Sequence, residues 1–250
     1  MLRFALVASG SKGNCCLVRN EETSIVIDCG TTQKYIKASF QSLHFSYLDA
    51  DALFITHTHI DHVKQLKMFH SIETYSRAFL DTDHYHHLLA HSVTQIKTMR
   101  IEEFPLSHDT NETSGFVIED KDSKMVYVTD TGYLNQSYYG AMQDADYYIF
   151  ESNHDPQMLM QTNRPLGTKR RILSDQGHMC NEVASENLSC LIGEHTSEIV
   201  LAHISQEAND PVLAKNTLIE TLVRKHIPYE GLSITSAPQF AIVTSKNYPL

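Results

Sequence analysis

The stretch Thr56-His57-Thr58-His59-Ile60-Asp61-His62 limits what this chain can fold into more than any other. It brings three imidazoles and one carboxylate into six consecutive residues, His57 to His62. The preceding run, Asp51-Ala-Leu-Phe-Ile-Thr56, is short and apolar and reads as a buried strand. A strand that opens into such a loop sets polar side chains at the C-terminal edge of a sheet, where α/β proteins build their sites. His57 and His59, two apart on an extended loop, can point the same way and chelate one metal ion. Asp61 and His62 are adjacent, so they splay and can reach a second. Imidazole and carboxylate suit Zn or Mn, and a loop without cysteine argues against a closed structural zinc site. With 15 His in the chain, one histidine alone would carry little; this pattern directly after an apolar strand carries much more.

Other apolar runs also end in polar, chemistry-bearing residues. Ser24 to Ile27 ends at Asp28-Cys-Gly30, Ile96 to Phe104 at Pro105-Leu-Ser-His108-Asp109, and Lys124 to Thr129 at Asp130. Asp146 to Phe150 ends at Glu151-Ser-Asn-His154, and Glu198 to Ala202 at His203. Helices are predicted over Thr31–Leu43, with Thr31 or Thr32 as cap, over Val63–Ile72, Asp83–Ser92 and Gln136–Asp144, and from Asn181 to about Ile192 with Asn181 as cap. Pro211–Lys225 is predicted as an amphipathic helix with Pro in its first turn. Strands and helices alternate, with hairpins mixed in, which fits a layered α/β protein rather than an all-β one. His84, His86, His87 and His91 fall on the predicted Asp83–Ser92 helix and read as a solvated face.

At 250 residues with 42% hydrophobic and 20% charged content, the chain has the make-up of an ordinary globular protein with a substantial core. No apolar run is long enough to span a membrane. The first residues read as a strand rather than a signal peptide. Five cysteines without framework spacing read as reduced thiols, which points to the cytoplasm. A net charge of −10 argues against a broad nucleic-acid-binding face. Bound divalent cations would still invert the potential locally.

The His57–His62 motif resembles the signature of the metallo-β-lactamase superfamily. "ASGSKGN", "VIDCG", "THTHIDH", "SHD", "VTDTGY", "ESNHD", "LGTKRRILSDQGHMCNE" and "LAHIS" together resemble its WalJ/YycJ branch. The resemblance covers nearly the whole chain and is weakest over residues 73–95 and after about 226. It implies a single domain over residues 1–250, an αββα sandwich of two mixed sheets flanked by helices. It also implies a metal-dependent phosphodiesterase, most closely a 5′→3′ exonuclease acting on DNA. By the same resemblance His57, His59 and His108 hold one divalent ion, Zn or Mn. Asp61, His62 and His203 hold a second, and Asp130 bridges both. Two such ions would share a hydroxide and lower its pKa toward ~7. Asp61 would serve in catalysis as well, and Asp28 would orient the His-rich loop.

His178 lies 25 residues before His203. In related phosphodiesterases, including the tRNase Z branch, a histidine at similar spacing contacts phosphate and protonates the leaving oxygen. His154 is a second candidate for substrate contact. Lys169, Arg170 and Arg171 form the densest basic cluster and suggest contacts to phosphates of the backbone. Ser9, Ser11 and Asn14 sit on a glycine loop whose N–H groups could cradle a phosphate. Other chemistries of the superfamily fit less well. Flavodiiron proteins carry a glutamate where this chain has His59, and two-zinc β-lactamases use a cysteine at the second site where the candidate here is Asp130. The ligands alone leave thiolester hydrolysis open. The rivals to DNA are a cyclic nucleotide or cyclic phosphate, RNA, and a non-catalytic regulatory role that keeps the metal-stabilised fold.

Overall fold

The computed structural model describes residues 1–110 and 112–249. Its strands form two mixed seven-stranded sheets flanked by helices. Backbone contacts divide the chain into two compact units, one of residues 1–105, 110–123 and 239–250, the other of residues 106–109 and 124–238.

The first unit carries β1 (Arg3–Ala8), β2 (Cys15–Arg19), β3 (Ser24–Ile27), α1 (Gln33–Ser42), β4 (Ala52–Phe54), α2 (Ile60–Val63), β5 (Thr74–Ser76), β6 (Tyr85–His87), β7 (Val93–Ile96), β8 (Met99–Leu106) and β9 (Thr113–Glu119). One whole sheet lies here, in the order β14-β1-β2-β3-β4-β5-β6, its last strand β14 being Val243–Thr244. The strands β3 to β6 run parallel to one another. The apolar residues of β3 and β4 are buried in near-continuous runs, as strands covered on both faces require. Thr32 caps α1 by accepting the Tyr35 N–H at 3.3 Å. Ile36 and Phe40, four apart on one face, pack into a core with Leu53, Ile55 and Phe69.

The second unit carries β10 (Lys124–Val128), α3 (Tyr139–Met142), β11 (Tyr147–Glu151), α4 (Pro156–Gln161), α5 (Leu166–Ile172), α6 (Asn181–Leu191), β12 (Glu198–Ala202), α7 (Pro211–Arg224) and β13 (Ser233–Ser236). Its four strands are parallel neighbours in chain order. Their C-terminal ends therefore lie along one edge. Asp155 caps α4 and Asp210 caps α7, each accepting N–H groups of the first turn.

Several expectations are corrected. The Asp83–Ser92 segment is not a helix: Tyr85–His87 adds an edge strand to β5. The predicted strand from Ile96 is a hairpin of β7 and β8, turned at Lys97, whose φ is 46°. The helix after the His-rich loop is shorter than Val63–Ile72, with α2 followed by a 3₁₀ turn over Leu66–Phe69. Asn181 is the first helical residue rather than the cap, which is Cys180. The Asn181 side chain instead exchanges two 2.9 Å hydrogen bonds with the Asn209 amide and accepts the Ser152 hydroxyl at 2.7 Å.

Candidate active site

In the first unit the His-rich loop leaves β4 and is locked by its neighbours. Asn14 N–H donates to the Asp61 carbonyl at 2.8 Å, and Cys29 N–H to the His62 carbonyl at 2.8 Å. The loop passes so close to Gly30 that a Cβ there would lie 1.5 Å from the Asp61 carbonyl oxygen. Only glycine permits that approach.

One carboxylate and one hydroxyl set the imidazoles. Asp28 is fully buried and accepts the Thr56 N–H at 2.9 Å and the His62 Nδ1–H at 2.8 Å. Thr56 Oγ1 lies 3.0–3.1 Å from both Asp28 oxygens and 3.1 Å from His57 Nδ1. One consistent assignment of hydrogens satisfies these groups. The hydroxyl donates to Asp28 and accepts from His57 Nδ1–H. Both rings then carry their proton on Nδ1, His62 Nε2 accepts the Asn14 amide N–H at 2.8 Å, and His57 Nε2 faces His59, so each Nε2 would exchange that contact for a metal. Burial raises the Asp28 carboxyl above its usual range, and His62 and Thr56 oppose that rise. His57 Nε2 and His59 Nδ1 converge at 3.0 Å. Two imidazole nitrogens converging in this way suit a shared divalent cation. Thr56→Val, which keeps shape and loses the hydroxyl, is expected to weaken metal binding about 10-fold, as losing the partner of a ligating histidine does. Thr56→Ser should restore it, with affinity read by equilibrium dialysis; equal affinity in all three would remove the role given to the hydroxyl.

In the second unit Asp130, Glu151 and His203 stand at the ends of the adjacent parallel strands β10, β11 and β12. His178, between α5 and α6, joins them, and the four offer ligand atoms all within 4.8 Å of one another. Glu151 Oε1 accepts His178 Nδ1–H at 2.7 Å and His203 Nδ1–H at 3.2 Å. Its other oxygen accepts the backbone N–H groups of Thr131 at 2.8 Å and Met179 at 3.3 Å. Burial alone would raise the Glu151 carboxyl, but His178 and His203 together pull it down to about 2. It is ionised at neutral pH and holds the Nδ1 side of both rings, so Nε2 is the nitrogen each turns away from it. His203 Nε2 then faces Asp130 Oδ1 across 3.4 Å, a pair of acceptors that suits a cation between them. His108 Nδ1 donates to the Gly177 carbonyl at 3.1 Å, and its Nε2 lies 3.2 Å from Asp109 Oδ1, a contact that a metal bound at Nε2 would replace. Burial lowers the His108 pKa, against Asp130, so the ring is held in the neutral form that ligates. The donor set in both units therefore fits divalent metal.

Asp28, Asp130 and His203 all sit in the left-handed region, at φ of 60°, 58° and 54°. Each follows the end of a strand. Such conformations cost roughly 1–3 kcal/mol each in non-glycine residues and collect at functional sites.

Residues 23–204 match the model of the β-lactamase superfamily domain. An exodeoxyribonuclease YycJ of Bacillus anthracis is 33% identical over 239 residues, covering 90% of each chain. This chain belongs to the metallo-β-lactamase superfamily. An exodeoxyribonuclease WalJ of Streptococcus pneumoniae is 28% identical, over 89% of this chain and 88% of that one. The fold protein YhfI of Bacillus subtilis superposes with a TM-score of 0.69 at 16% identity, covering 97% of this chain and 99% of that one, which confirms the metallo-β-lactamase fold. The chain is a metal-dependent hydrolase of that superfamily.

The other expected site residues of this metallo-β-lactamase-fold protein divide into four groups. His59, Asp61 and Ser11 lie at least partly open to solvent. Ser9 and Asn14 are buried, and the N–H cradle expected of their loop is not what the loop provides. The N–H groups of Ser9 and Lys12 bond to Gln239, that of Gly10 to Asn14 Oδ1, that of Gly13 to the Gly10 carbonyl, and that of Asn14 to Asp61. They shape the loop rather than face a ligand. Lys169, Arg170 and Arg171 do not share a face, because adjacent helical positions are about 100° apart. Lys169 is buried and its Nζ donates to the Met160 carbonyl at 2.7 Å, which corrects its expected phosphate contact. Arg171 pairs with Asp109, and Arg170 is exposed. His154 is buried, with neither ring nitrogen hydrogen-bonded among the described residues, and burial pushes its pKa down to about 4.

Glu151 and Thr56 are the functional residues that sequence reasoning missed. Glu151 follows an apolar run just as Asp130 and His203 do, and that position was the signal. No helix among the described residues is long and apolar enough to cross a membrane.

Proposed function

We propose that this chain is a two-metal phosphodiesterase that degrades DNA from a 5′ end. The observation that carries the reading is the buried Glu151 carboxylate holding His178 beside Asp130 and His203. It supplies an oriented imidazole next to metal ligands, the pair that phosphodiester cleavage needs. DNA as the substrate is supported by two similar proteins named exodeoxyribonucleases. The proposed ligands are those the family resemblance implies. His57, His59 and His108 would hold one ion and Asp61, His62 and His203 another, with Asp130 shared between the two. When bound, two divalent ions of Zn or Mn type supply Lewis acidity, a water of lowered pKa and charge for the phosphate.

The chain's own groups do the rest. Asp28 and Thr56 hold the Nδ1 side of His57 and His62, so Nε2 is the nitrogen each ring would give to a metal, His62 by releasing the Asn14 amide. Glu151 holds the Nδ1–H of His178, so Nε2 is the atom turned to the leaving oxygen, and it passes a proton there when the ring carries one on both nitrogens. Arg170 and Arg171 extend toward the following phosphates of the strand, with Arg171 exchanging Asp109 for phosphate, and Ser11 contacts the 5′ end. The metal-stripped protein, reloaded with Mn²⁺ or Zn²⁺, should degrade end-labelled DNA in preference to RNA and should lose all activity with chelator. Cleavage of a cyclic mononucleotide without cleavage of DNA would replace this reading with a small-molecule phosphodiesterase.

A further inference from the structure

The edge pair β5 and β6 carries a cluster that the hydrolytic site does not use. The strands are parallel, with Thr74 opposite Tyr85 and Tyr75 opposite His86. Glu73, one residue before β5, is therefore level with His84, one residue before β6. Side chains alternate along a strand, so Glu73, Tyr75, His84 and His86 share one face. His84 Nδ1 lies 3.3 Å from Glu73 Oε1, and His86 Nε2 is hydrogen-bonded to Glu73 Oε2. One carboxylate is thus approached by two imidazoles, one at each oxygen.

The His86 ring is also fixed in plane. It stacks on Tyr75 at 4.6 Å and 15°, and Tyr75 stacks on Phe54 at 5.0 Å and 15°. That run of three rings crosses from the buried strand β4 to the edge. His84, His86 and Glu73 are each 46–48% exposed, so an ion and its remaining waters have access.

We propose that Glu73, His84 and His86 form a separate surface site for a borderline divalent cation such as Zn²⁺, Ni²⁺ or Cu²⁺. Two imidazoles and one carboxylate are the donors those ions prefer, whereas Mg²⁺ and Ca²⁺ take oxygen alone. The facing nitrogens, Nδ1 of His84 and Nε2 of His86, become the ligands, with any proton of a neutral ring on the other nitrogen. The two imidazoles meet different oxygens of Glu73, so they must draw together round one ion. The half-exposed His84 closes the remaining distance by turning about its side-chain bonds. The bound ion ties the edge strand β6 to β5 through side chains. It therefore guards an open sheet edge that only three residues of β6 now cover. The expected consequence is a metal-dependent rise in melting temperature that is separate from hydrolysis.

The test is equilibrium dialysis of the full chain against Zn²⁺, comparing wild type with Glu73→Gln and with the double variant His84→Ala, His86→Ala. All three positions are exposed and outside the hydrolytic residues, so an unchanged circular-dichroism spectrum without metal certifies the fold of each variant. Wild type should hold one more Zn²⁺ per chain than the double variant, and Glu73→Gln should bind that ion at least 10-fold more weakly. Excess Mg²⁺ should not compete. The Zn²⁺-dependent rise in melting temperature should shrink in both variants. Equal Zn²⁺ counts and affinities in all three proteins, or full competition by Mg²⁺, would overturn the site. Loss of the extra ion with the fold unchanged supports it whatever the substrate of the hydrolytic centre.

Discussion

His178→Ala is expected to keep its metal and lose roughly 10²–10⁴-fold in rate, the range for removal of a general acid. His178 is not among the proposed ligands. Its Nδ1 is committed to Glu151 at 2.7 Å, so the ring can serve the substrate only through Nε2. The loss should shrink on a phosphodiester with a nitrophenolate leaving group, which departs without a proton. Glu151→Gln should lose less than His178→Ala, since the amide oxygen can still accept the Nδ1–H, but should also loosen His203, which shares the same carboxylate oxygen. Steady-state rates on both substrates, with metal content measured in parallel, give the comparison. An equal loss on the two leaving groups would reduce His178 to phosphate binding.

Gly30→Ala should be nearly as damaging, although Gly30 touches no substrate and is not a ligand. A Cβ would lie 1.5 Å from the Asp61 carbonyl oxygen and 2.5 Å from the His62 nitrogen. Both contacts are with backbone, so no rotamer relieves them. The loop carrying Asp61 and His62 must retreat by an ångström or more. A displacement of that size in a catalytic constellation costs about 10²-fold. Because Asn14 and Cys29 hydrogen-bond the same loop carbonyls, the shift would also break the two contacts that hold it. Elemental analysis should show reduced occupancy in Gly30→Ala, and turnover should fall in step. Full occupancy with full activity would mean that the loop's position does not matter.

Much of this site is legible in the sequence because its residues follow apolar runs. Asp28, His57, Asp130 and His203 each mark the point where a buried strand meets polar surroundings, and within each unit parallel strands put those points on one edge, Asp28 with His57 and Asp130 with His203. Glu151 occupies the same kind of position, yet a single glutamate after a strand resembles ordinary strand termination. Its role depends on His178 and His203, 27 and 52 residues away. Asn181 was misread for a similar reason: an asparagine at a helix start suggests a cap, and its partner Asn209 is 28 residues on. The edge strand β6 was illegible because Tyr85-His86-His87 has no apolar alternation. Its pairing with β5 comes from the sheet and not from local propensity. Lys97 hid the β7–β8 turn, since the left-handed conformation usually announces itself with glycine or asparagine. The basic run 169–171 looked like one patch in a list of residues; a helix turns it into three directions.

The central claim is that metal-dependent hydrolysis starts at a DNA 5′ end. The direct measurement follows product release by the Mn²⁺- or Zn²⁺-loaded chain from strands blocked at the 5′ end, blocked at the 3′ end, or unblocked. A 5′ block should stop degradation and a 3′ block should leave it unchanged, with mononucleotides or very short products appearing from the first time points and a 5′-phosphate accelerating their release. Degradation that ignores the 5′ block and is stopped by the 3′ block would contradict the account.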